Sequence, residues 1–378
     1  MRSLPRIRFQ VQPTVSHYRE PLVRRLLEST RFAYDLVGRF RNSEAATEDR
    51  IASASQQTLS QVTPLKTRAA GLLWWEQGQV TVVWRGGHDA YVLEGRVYTV
   101  STWAAGAAAK LRGRKVLLWG HGWKRPETGL KRRLRLSFYS LVDGLMVYGD
   151  RAKELGMEYG LSAEKIQVVY NSLYSRDQLP EQPPVKSPRS VRSEDRHTLI
   201  YSSRLTHRHR LDVLAEALTD WPAGTPVPRV VVVGEGSERV RLERVFAGAG
   251  VEAEFLGAVY SIDQLRELYA RADAALSVGG AGLNVIQALG FGVPVVAEEG
   301  NRDSSPEIEA VIEGRTGRYY QAGSPESLRE TLVELLTDPG QCQLLGANGL
   351  ELVRARYTAE AHTEAIEVAL ARFLGHSP

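Results

Sequence analysis

The stretch of this chain with the most chemical content is rich in glycine. Residues Ala274–Ala297 read AALSVGGAGLNVIQALGFGVPVVA, and an apolar strand candidate there runs into Gly279, Gly280 and Gly282. A helix candidate begins near Leu283. Glycine lets the backbone approach a ligand closely, and the first turn of a helix offers unpaired N–H groups at the positive end of its dipole. A diphosphate fits such a turn, although a tight strand–helix connection without a ligand would carry the same glycines.

A basic loop follows another strand candidate, in the stretch LIYSSRLTHRHRLDVLAEAL of residues 199–218. After Ser203 the loop carries the side chains of Arg204, His207, Arg208, His209 and Arg210. A basic cluster at the carboxyl end of a strand complements a diphosphate, and arginine binds phosphate oxygens bidentately. A solvated basic loop is the alternative. Two histidines without a paired carboxylate do not favour a metal ion, so we expect no metal site and no metal cofactor.

Strands and helices that alternate along the chain would position these loops. The strand candidates of the first half are Ile7–Val11, Tyr34–Val37, Val80–Trp84, Ala90–Leu93, Lys115–Trp119, Gly144–Tyr148 and Gln167–Tyr170. The helix candidates between them are Glu20–Ser29, Thr99–Leu111, Leu130–Leu141 and Arg151–Tyr159. This alternation is typical of βαβ units around a parallel sheet.

The same alternation restarts near residue 198. The strand candidates of the second half are Thr198–Ser202, Arg229–Val233, Ala253–Leu256, Ala274–Val278 and Pro294–Ala297. Its helix candidates are Asp212–Leu218, Glu238–Gly248, Ile262–Ala270, Leu283–Gly290, Pro306–Ile312, Pro325–Thr337, Gly340–Tyr357 and Ala359–Phe373. The pattern predicts a second α/β domain after the first.

A linker composition separates the two halves, because residues 179–196 contain four prolines and little apolar content. We therefore predict an N-terminal Rossmann-like domain over residues 1–180, a linker over 181–197 and a C-terminal Rossmann-like domain over 198–357. Residues 358–378 are expected to form a helix that packs back onto the N-terminal domain. Two open α/β domains in series predict a ligand crevice between them, at the carboxyl ends of both sheets.

The charge of the chain is divided unequally between its halves. Residues 1–180 contain 28 Lys and Arg against 16 Asp and Glu, whereas residues 181–378 contain 20 against 28. The basic half is therefore the better candidate for an acidic partner. Cys342 is the only cysteine, which excludes an intramolecular disulfide and fits a reducing cytoplasm. We expect no signal peptide and no transmembrane helix, and therefore a cytoplasmic protein whose membrane contact is peripheral, at the inner face of the cell membrane.

Several short motifs occur along the chain in the same order as in family 4 glycosyltransferases of the GT-B fold, and the chain resembles that family. Over residues 115–357 the matching motifs are Val169-Tyr170-Asn171, Arg204-Leu205, Val233-Gly234-Glu235-Gly236, Phe255-Leu256-Gly257, Leu268-Tyr269, Gly282-Leu283, Gly292-Val293-Pro294-Val295 and Pro306-Glu307. The resemblance implies an α/β architecture of two Rossmann-like domains that face each other across a crevice. It also implies retaining transfer from a nucleotide sugar.

The resemblance implies a set of donor-binding residues in this sequence. They are Asn171, Gly234, Gly236, Gly279, Gly280, Gly282, Leu283, Gln287 and Glu307. The family's Glu-x7-Glu motif is replaced by Gly279 and Gln287, so both of its carboxylates are missing. The Gln287 amide oxygen can still accept a ribose hydrogen bond. His209 stands where the family has lysine, and its charge near neutral pH depends on its surroundings.

One histidine of the first half resembles a family residue that lies near the donor sugar. His121 follows a strand candidate and is flanked by Gly120 and Gly122. A histidine there would hydrogen-bond a sugar hydroxyl or stabilise developing charge. We therefore group His121 with Arg204 and His209 as the catalytic candidates. The alternative for His121 is a histidine that only satisfies a loop carbonyl.

The loop Gln12–Arg19 follows the first strand candidate and faces the acceptor in GT-B proteins. Its His17, Tyr18 and Arg19 are polar groups that could meet an acceptor hydroxyl or phosphate. A capped helix start is the structural alternative. The loop contains no Asp or Glu as an obvious general base. This absence fits a retaining transfer in which the departing diphosphate takes the acceptor proton.

Basic residues are concentrated in residues 110–135. In the helix candidate Leu130–Leu141, the apolar residues Leu130, Leu134 and Phe138 recur at helical spacing with basic residues between them. A basic helix with an apolar stripe is typical of contact with an anionic membrane surface. A core-packed helix with a solvated cationic face is the alternative. No recognised nucleic-acid motif accompanies this charge, so we expect no nucleic-acid partner.

These expectations combine into one predicted function. We expect a glycosyltransferase that moves a sugar from a nucleotide-diphosphate sugar to a carbohydrate or lipid-linked glycan acceptor, with retention, in cell-surface polysaccharide or glycolipid biosynthesis. Two alternatives remain open on the sequence. One is a nucleotide-sugar 2-epimerase of the same architecture, and the other is a non-catalytic nucleotide-sugar binder.

Overall fold

The computed structural model describes residues 4–40, 51–184 and 196–375, and these residues divide into two α/β units. Unit 1 comprises residues 4–40, 51–175 and 358–375. Unit 2 comprises residues 176–184 and 196–357.

The two units exchange the chain at two places. Unit 1 ends at Ser175, where the sequence predicts an end at residue 180, and the chain returns to unit 1 at Thr358. Residues 185–195 of the predicted linker lie outside the described residues. Its described part belongs to unit 2, where Pro183 occupies the space that a side chain at Gly292 would need.

Unit 1 contains a seven-stranded parallel sheet and a separate antiparallel hairpin. Its strands are β1 Arg6–Val11, β2 Ala33–Gly38, β3 Thr63–Pro64, β4 Thr67–Ala70, β5 Leu73–Glu76, β6 Ala90–Glu94, β7 Lys115–Gly120, β8 Gly144–Val147 and β9 Ile166–Val168. The sheet order is β3-β2-β1-β6-β7-β8-β9, and β4 pairs with β5 in the separate hairpin. The direction in which strands are added therefore reverses between β1 and β6, and ligands of open parallel sheets bind at such a switch point.

Unit 2 contains a six-stranded parallel sheet with the same kind of reversal. Its strands are β10 Thr198–Ser202, β11 Arg229–Val233, β12 Ala253–Gly257, β13 Ala274–Ser277, β14 Val295–Glu298 and β15 Gly317–Tyr320. The order is β12-β11-β10-β13-β14-β15, so the switch point lies between β10 and β13.

Helices follow most of the strands. The helices of unit 1 that precede Ser175 are α1 Glu20–Leu27, α2 Gln56–Ser60, α3 Gln79–Arg85, α4 Val100–Arg112, α5 Gly129–Ser140 and α6 Asp150–Glu158. Those of unit 2 are α7 Asp212–Thr219, α8 Arg239–Gly248, α9 Ile262–Arg271, α10 Leu283–Gly290, α11 Pro325–Thr337 and α12 Pro339–Arg356. The last helix, α13 Ala359–Leu374, belongs to unit 1.

Successive side chains of the central strands supply two cores, one on each face of the unit 1 sheet. In β7, Leu117 and Trp119 join a cluster with Leu22 of α1 and Leu370 of α13. The alternate residue Leu118 joins the cluster that contains the buried side chains of α4 and α5. Both faces are therefore covered, as all-parallel sheets require.

The C-terminal helix α13 is an integral part of unit 1. The Ala359 N–H donates to the Tyr174 carbonyl at 2.8 Å, at the point where the chain enters the helix. His362 is fully buried, and its Nδ1 lies 3.0 Å from the Ser172 hydroxyl. Ile366 lies in the same core as β1 and β7. Removal of this helix would therefore expose one face of the unit 1 sheet.

Some predicted elements differ from the structure. The predicted strand Val80–Trp84 is part of helix α3. This helix lies between Gly78 and Gly86 and packs against α4. Its β-branched residues favour a strand by local propensity, but the tertiary contact decides for a helix. The sequence also missed the hairpin β4–β5 and the short strand β15, and the predicted helix Pro306–Ile312 is a 3-10 turn over Pro306–Ala310.

Candidate functional site

The switch point of unit 2 brings together the two loops that the sequence singled out. β10 and β13 are hydrogen-bonded neighbours, and the loops after their carboxyl ends meet where the Gly280 N–H donates to the Arg208 carbonyl at 3.2 Å. Gly279 has φ +72°, and a Cβ there would overlap the Arg208 carbonyl oxygen. Gly279 is therefore required for the packing of one loop on the other.

The glycine-rich turn uses most of its own N–H groups within the protein. The Gly279 N–H donates to Glu298 Oε2 at 3.0 Å, and the Gly282 N–H donates to Asn284 Oδ1 at 2.9 Å. In the part of the chain that the structure describes, we find no acceptor for the backbone N–H groups of Leu283 and Asn284. The donors that α10 can offer a ligand are therefore these two, and not the glycine N–H groups that the sequence suggested.

Two further glycines hold the backbone on both sides of Arg204. Gly234 and Gly236 have φ +147° and +156°, and a Cβ on either would overlap the carbonyl of Ser203 or Leu205 respectively. The Leu205 N–H also donates to the Glu235 carbonyl at 2.8 Å. These contacts fix the direction in which the Arg204 residue leaves strand β10.

His209 is buried, with 4% of its surface exposed. Its Nδ1 lies 2.9 Å from the Thr206 hydroxyl. Burial, reinforced by the positive charges of Arg208 and Arg204, lowers the pKa of His209 to about 3. The imidazole is therefore neutral near pH 7. A lysine, which the resembled family has at this position, would carry a charge that the neutral imidazole lacks.

Glu298 is a buried carboxylate at this switch point that the sequence analysis missed. It accepts hydrogen bonds from the Gly279 N–H and from the Tyr320 hydroxyl on Oε2, each at 3.0 Å, and from Asn301 Nδ2 on Oε1 at 2.9 Å. Burial and the charge of Glu298 raise the pKa of Tyr320. An acidic residue that ends an apolar strand, here PVVAE, is the signal that would have found it.

The other donor-binding candidates of unit 2 lie on α10 and on the turn after β14. Gln287 is partly exposed on α10, whereas Glu307 is buried in the 3-10 turn that begins at Pro306. Asn171, in contrast, belongs to unit 1, where its amide oxygen accepts from Arg19. It therefore lies in a different unit from the other eight candidates.

Arg19 is the centre of a buried network in unit 1 and is only 2% exposed. Its Nε donates to the Gln12 carbonyl at 2.9 Å, its Nη1 to Asn171 Oδ1 at 2.7 Å and its Nη2 to the Tyr148 hydroxyl at 3.0 Å. The guanidinium also lies 5.0 Å from the centroid of the Trp119 ring. Arg19 thus joins the ends of β1, β7, β8 and β9, and it is not the surface group that the sequence suggested for the acceptor.

His121 lies beside this network, directly after β7. It is partly exposed, and its ring packs edge-on against Tyr148 with a centroid distance of 5.1 Å. Burial, followed by the charges of Lys124 and Arg19, holds the pKa of His121 well below its usual range. A neutral imidazole at the end of a central strand is suited to hydrogen bonding with a hydroxyl group.

His17 and Tyr18 form part of a short 3-10 turn before α1. His17 is partly exposed, its Nδ1 lies 3.3 Å from the Ala52 carbonyl, and burial lowers the pKa of its ring. Tyr18 is also partly exposed and packs edge-on against the His17 ring. Of the three acceptor candidates, these two retain exposed surface.

A second buried polar cluster occupies the switch point of unit 1. Gln10 Nε2 and Gln79 Nε2 donate to the two carboxylate oxygens of Glu76 at 2.6 and 2.9 Å. Arg39 Nη2 donates to Glu94 Oε2 at 2.7 Å. Burial and the nearby charge of Glu94 raise the pKa of Glu76 to about 7. This cluster was not predicted from the sequence, although Glu94 ends the apolar strand β6 as Glu298 ends β14.

Helix α5 carries the basic stripe that the sequence indicated. Leu130 and Leu134 are 82% and 42% exposed, whereas Phe138 is fully buried. Arg135 binds the Glu127 carboxylate through two nitrogens at 2.8 and 2.9 Å, so part of the basic charge is neutralised within the unit. The N-terminal half of α5 therefore presents apolar and cationic side chains to solvent.

Membrane-spanning helices and metal-binding clusters are both absent from the described residues. No helix among the described residues has the length and apolar character needed to cross a membrane. Across residues 4–40, 51–184 and 196–375, no three His, Cys, Asp or Glu side chains are grouped so that they could hold a metal ion.

Sequence comparisons match unit 2 to a known family. Residues 184–351 match the family of glycosyl transferases group 1. The chain is 30% identical over 169 residues to the GDP-mannose-dependent monoacylated alpha-(1-6)-phosphatidylinositol monomannoside mannosyltransferase of Corynebacterium glutamicum, covering 42% of this chain and 43% of that protein. It is 30% identical over 175 residues to the GDP-mannose-dependent alpha-(1-6)-phosphatidylinositol monomannoside mannosyltransferase of Mycobacterium tuberculosis, covering 43% and 44%. The match spans less than half the length of these relatives.

Comparison with solved structures covers both units. Anabaena Alr3699/HepE in complex with UDP superposes with a TM-score of 0.70 at 17% identity, over 97% of this chain and 100% of that one. The lipopolysaccharide outer core galactosyltransferase WaaB gives a TM-score of 0.70 at 15% identity, over 97% and 99%. These similarities show the fold. The chain therefore has the GT-B fold, and its residues 184–351 are similar to the glycosyl transferases group 1.

Proposed function

We propose that this protein is a glycosyltransferase that moves a sugar from a nucleotide-diphosphate sugar to a carbohydrate or lipid-linked glycan acceptor. The observation that carries the proposal is the switch point of unit 2, which lies within the matched residues 184–351. There the loop of Arg204 packs on the turn that begins α10. A basic loop that packs on the start of a helix is suited to a diphosphate leaving group.

The donor proposed for the first test is GDP-mannose. The mannosyltransferases of Corynebacterium glutamicum and Mycobacterium tuberculosis that the chain resembles are named as GDP-mannose-dependent. Their similarity to this chain extends over 169 and 175 residues. A guanine nucleotide and a mannosyl group are therefore the natural starting point.

The proposed chemistry uses the side chains and backbone of the protein as its cations and donors. Arg204 balances charge on the departing diphosphate, while the N–H groups of Leu283 and Asn284 donate to its oxygens. His209 contributes a neutral hydrogen bond. The bond from the anomeric carbon to the diphosphate breaks, and a bond to the acceptor oxygen forms on the same face. The departing diphosphate takes the acceptor proton, so the transfer is retaining and is proposed to need no metal.

The acceptor is proposed to be carried by a lipid, and contact with an anionic membrane surface to occur through residues 110–135. The exposed Leu130 and Leu134 lie among Lys131, Arg132 and Arg133 on α5, which supports contact with anionic headgroups. The relatives named above act on phosphatidylinositol monomannosides. In this proposal the protein works peripherally, at the cytoplasmic face of the membrane, in polysaccharide or glycolipid synthesis and without a nucleic-acid partner.

A thermal-shift series followed by a transfer assay tests the proposal. GDP-mannose, UDP-glucose and ADP-glucose are compared, each with its free nucleoside diphosphate, because a ligand at 100 times its Kd stabilises the folded state by about 2.7 kcal/mol. The ligand that raises the Tm is then incubated with a phosphatidylinositol mannoside, with and without EDTA. Sugar transfer that EDTA does not reduce is expected, and NMR of the product reports the anomeric configuration. Absence of any shift and of any transfer would overturn the proposal.

The missing carboxylate pair favours one alternative, a nucleotide-sugar binder without turnover. Gly279 stands in place of the first carboxylate of the Glu-x7-Glu motif, and its N–H donates to Glu298. Gln287 stands in place of the second carboxylate. Donor binding by calorimetry, with no product from any acceptor, would support the binder. Incubation of the donor alone separates the remaining alternative, since only a 2-epimerase would change the sugar without an acceptor.

A further inference from the structure

The hairpin β4–β5 of unit 1 is a surface feature that the proposed sugar transfer does not use. It lies outside the parallel sheet, since among the residues that the structure describes β4 pairs only with β5. An isolated two-stranded hairpin is marginal in water, so it must be held by other contacts. Here the buried side chains of Trp74 and Glu76 hold its base.

The base of the hairpin is fixed by several interactions. The Trp74 N–H donates to the Tyr98 carbonyl at 2.9 Å, and the Trp74 ring lies 3.9 Å from the Arg96 guanidinium and 4.6 Å from that of Arg39. The Glu76 N–H donates to the Ser101 hydroxyl at 2.9 Å. The hairpin is therefore a preformed projection whose inner face is anchored.

The outer face of the hairpin is apolar. Side chains alternate along β5, so that Trp74 and Glu76 point inward whereas Leu73 and Trp75 are 53% and 43% exposed. Leu72, in the turn, is 71% exposed. The cross-strand partners of Leu73 and Trp75 are Ala70 and Arg68, which stand on the same outer face.

The charge of this face has one sign. Residues 63–75 contain Lys66 and Arg68 and no Asp or Glu, and both cations are exposed. Next to the hairpin base, Tyr98 and Val100 are 40% and 39% exposed. Surfaces that enter the headgroup region of an anionic bilayer typically carry leucine, tryptophan and tyrosine side chains flanked by cations.

We propose that the β4–β5 hairpin inserts its tip, Gly71-Leu72-Leu73, and Trp75 into the surface of an anionic lipid bilayer. Lys66 and Arg68 then meet the headgroups. The inference deepens the proposed function and rests on its lipid-linked acceptor, because insertion would hold unit 1 at the surface where that acceptor lies. The hairpin is a different element from α5, so its contribution is separable.

The test is flotation of the full-length protein with vesicles that contain neither donor nor acceptor. Vesicles of phosphatidylcholine alone are compared with vesicles of phosphatidylcholine and phosphatidylglycerol in equal parts. The variant is Leu72→Ser with Leu73→Ser, and the matched control is Leu344→Ser, which removes a leucine 59% exposed on α12 of unit 2. Circular dichroism melting and the donor thermal shift are recorded for each protein, so a failure of sugar transfer is distinguished from a failure of membrane contact.

The double leucine variant is expected to lose about tenfold in its partition onto the anionic vesicles, with unchanged melting and donor binding. Arg68→Glu is expected to lose a similar factor on anionic vesicles and nothing on phosphatidylcholine alone. Bromine-labelled lipids are expected to quench wild-type fluorescence more than that of Trp75→Phe. Vesicle binding of the leucine variant equal to wild type and to Leu344→Ser would overturn the proposal. Equal quenching in the wild type and in Trp75→Phe would also overturn the proposal. In that case the exposed face of the hairpin would be a contact for a protein partner.

Discussion

Nη1 of Arg19 lies 2.7 Å from Oδ1 of Asn171, which joins the loop after β1 to the segment after β9 within unit 1. The same guanidinium donates to the Tyr148 hydroxyl, and the Tyr148 ring packs against His121. Arg19 is therefore a positioning residue behind His121. It acts through a neighbouring ring and through its charge, and it does not touch the surface itself.

Replacement of Arg19 by glutamine should change both stability and the titration of His121. The variant leaves the Asn171 oxygen and the Tyr148 hydroxyl without this donor in a buried site, which should cost about 2 kcal/mol or more of unfolding free energy. It also removes a positive charge that lowers the pKa of His121, so that pKa should rise. Urea denaturation and NMR titration measure the two effects. Arg133→Gln, an exposed change on α5, is the control, and an unshifted His121 titration would contradict the electrostatic role.

Arg204→Ala should abolish most sugar transfer without unfolding the protein. Arg204 is partly exposed, and the backbone around it is fixed by Gly234 and Gly236, so truncation of the side chain leaves the loop in place. Loss of one preformed charge at a leaving group should reduce kcat by about 100-fold to 1,000-fold. Arg244→Ala, on the exposed side of α8, is the control for lost positive charge. Turnover near that of wild type, with an unchanged Tm, would remove Arg204 from the mechanism.

Restoring the first family carboxylate by Gly279→Glu should damage the site. The φ of +72° is unfavourable for glutamate, and its Cβ would overlap the Arg208 carbonyl, which should cost about 1–3 kcal/mol and displace the loop of Arg204. Gln287→Glu is the matched change on the partly exposed face of α10 and should be tolerated. Calorimetric titration with the donor compares the two. A Gly279→Glu protein that is stable and binds the donor more tightly would show that the loop can rearrange.

The buried His209 should make the protein less stable in acid. Its folded pKa of about 3 lies below the ordinary 6.5, so between these values the unfolded chain binds a proton that the folded chain refuses. The free energy of unfolding should fall by about 1.4 kcal/mol for each unit that pH decreases in this window. His209→Gln removes this contribution, which is measured as a smaller difference between unfolding at pH 7 and at pH 5. Parallel pH profiles of wild type and variant would contradict a neutral His209.

Glu76 should have the opposite effect in an overlapping range of pH. Its folded pKa of about 7 exceeds the ordinary 4.5, so the folded chain holds a proton that the unfolded chain releases. The contribution of Glu76 to stability is therefore complete below about pH 4.5 and is lost as pH rises through 7, by about 2 kcal/mol between pH 5 and 7. Glu76→Gln should lose less stability than wild type over that range. Urea denaturation at both pH values measures it, and an equal loss in both proteins would show that Glu76 is ionised throughout.

Local patterns in the sequence determined much of this architecture. The alternation of apolar strands and helices predicts both parallel sheets, and several elements, among them β10, β11 and α10, have the predicted bounds. The glycine-rich turn before α10 and the basic loop after β10 were both found from residue types. Such features depend on spacing within a short segment, which a sequence displays directly.

The tertiary structure decided which of those residues are buried and what they contact. Gly279 and Gly280 serve the packing of one loop on another, His209 is neutral because the fold buries it beside two arginines, and Arg19 is enclosed by segments far away in the chain. Val80–Trp84 became helical through its contact with α4. Burial, charge and loop packing depend on neighbours distant in sequence, so residue types could name the candidates while only the folded chain showed their surroundings.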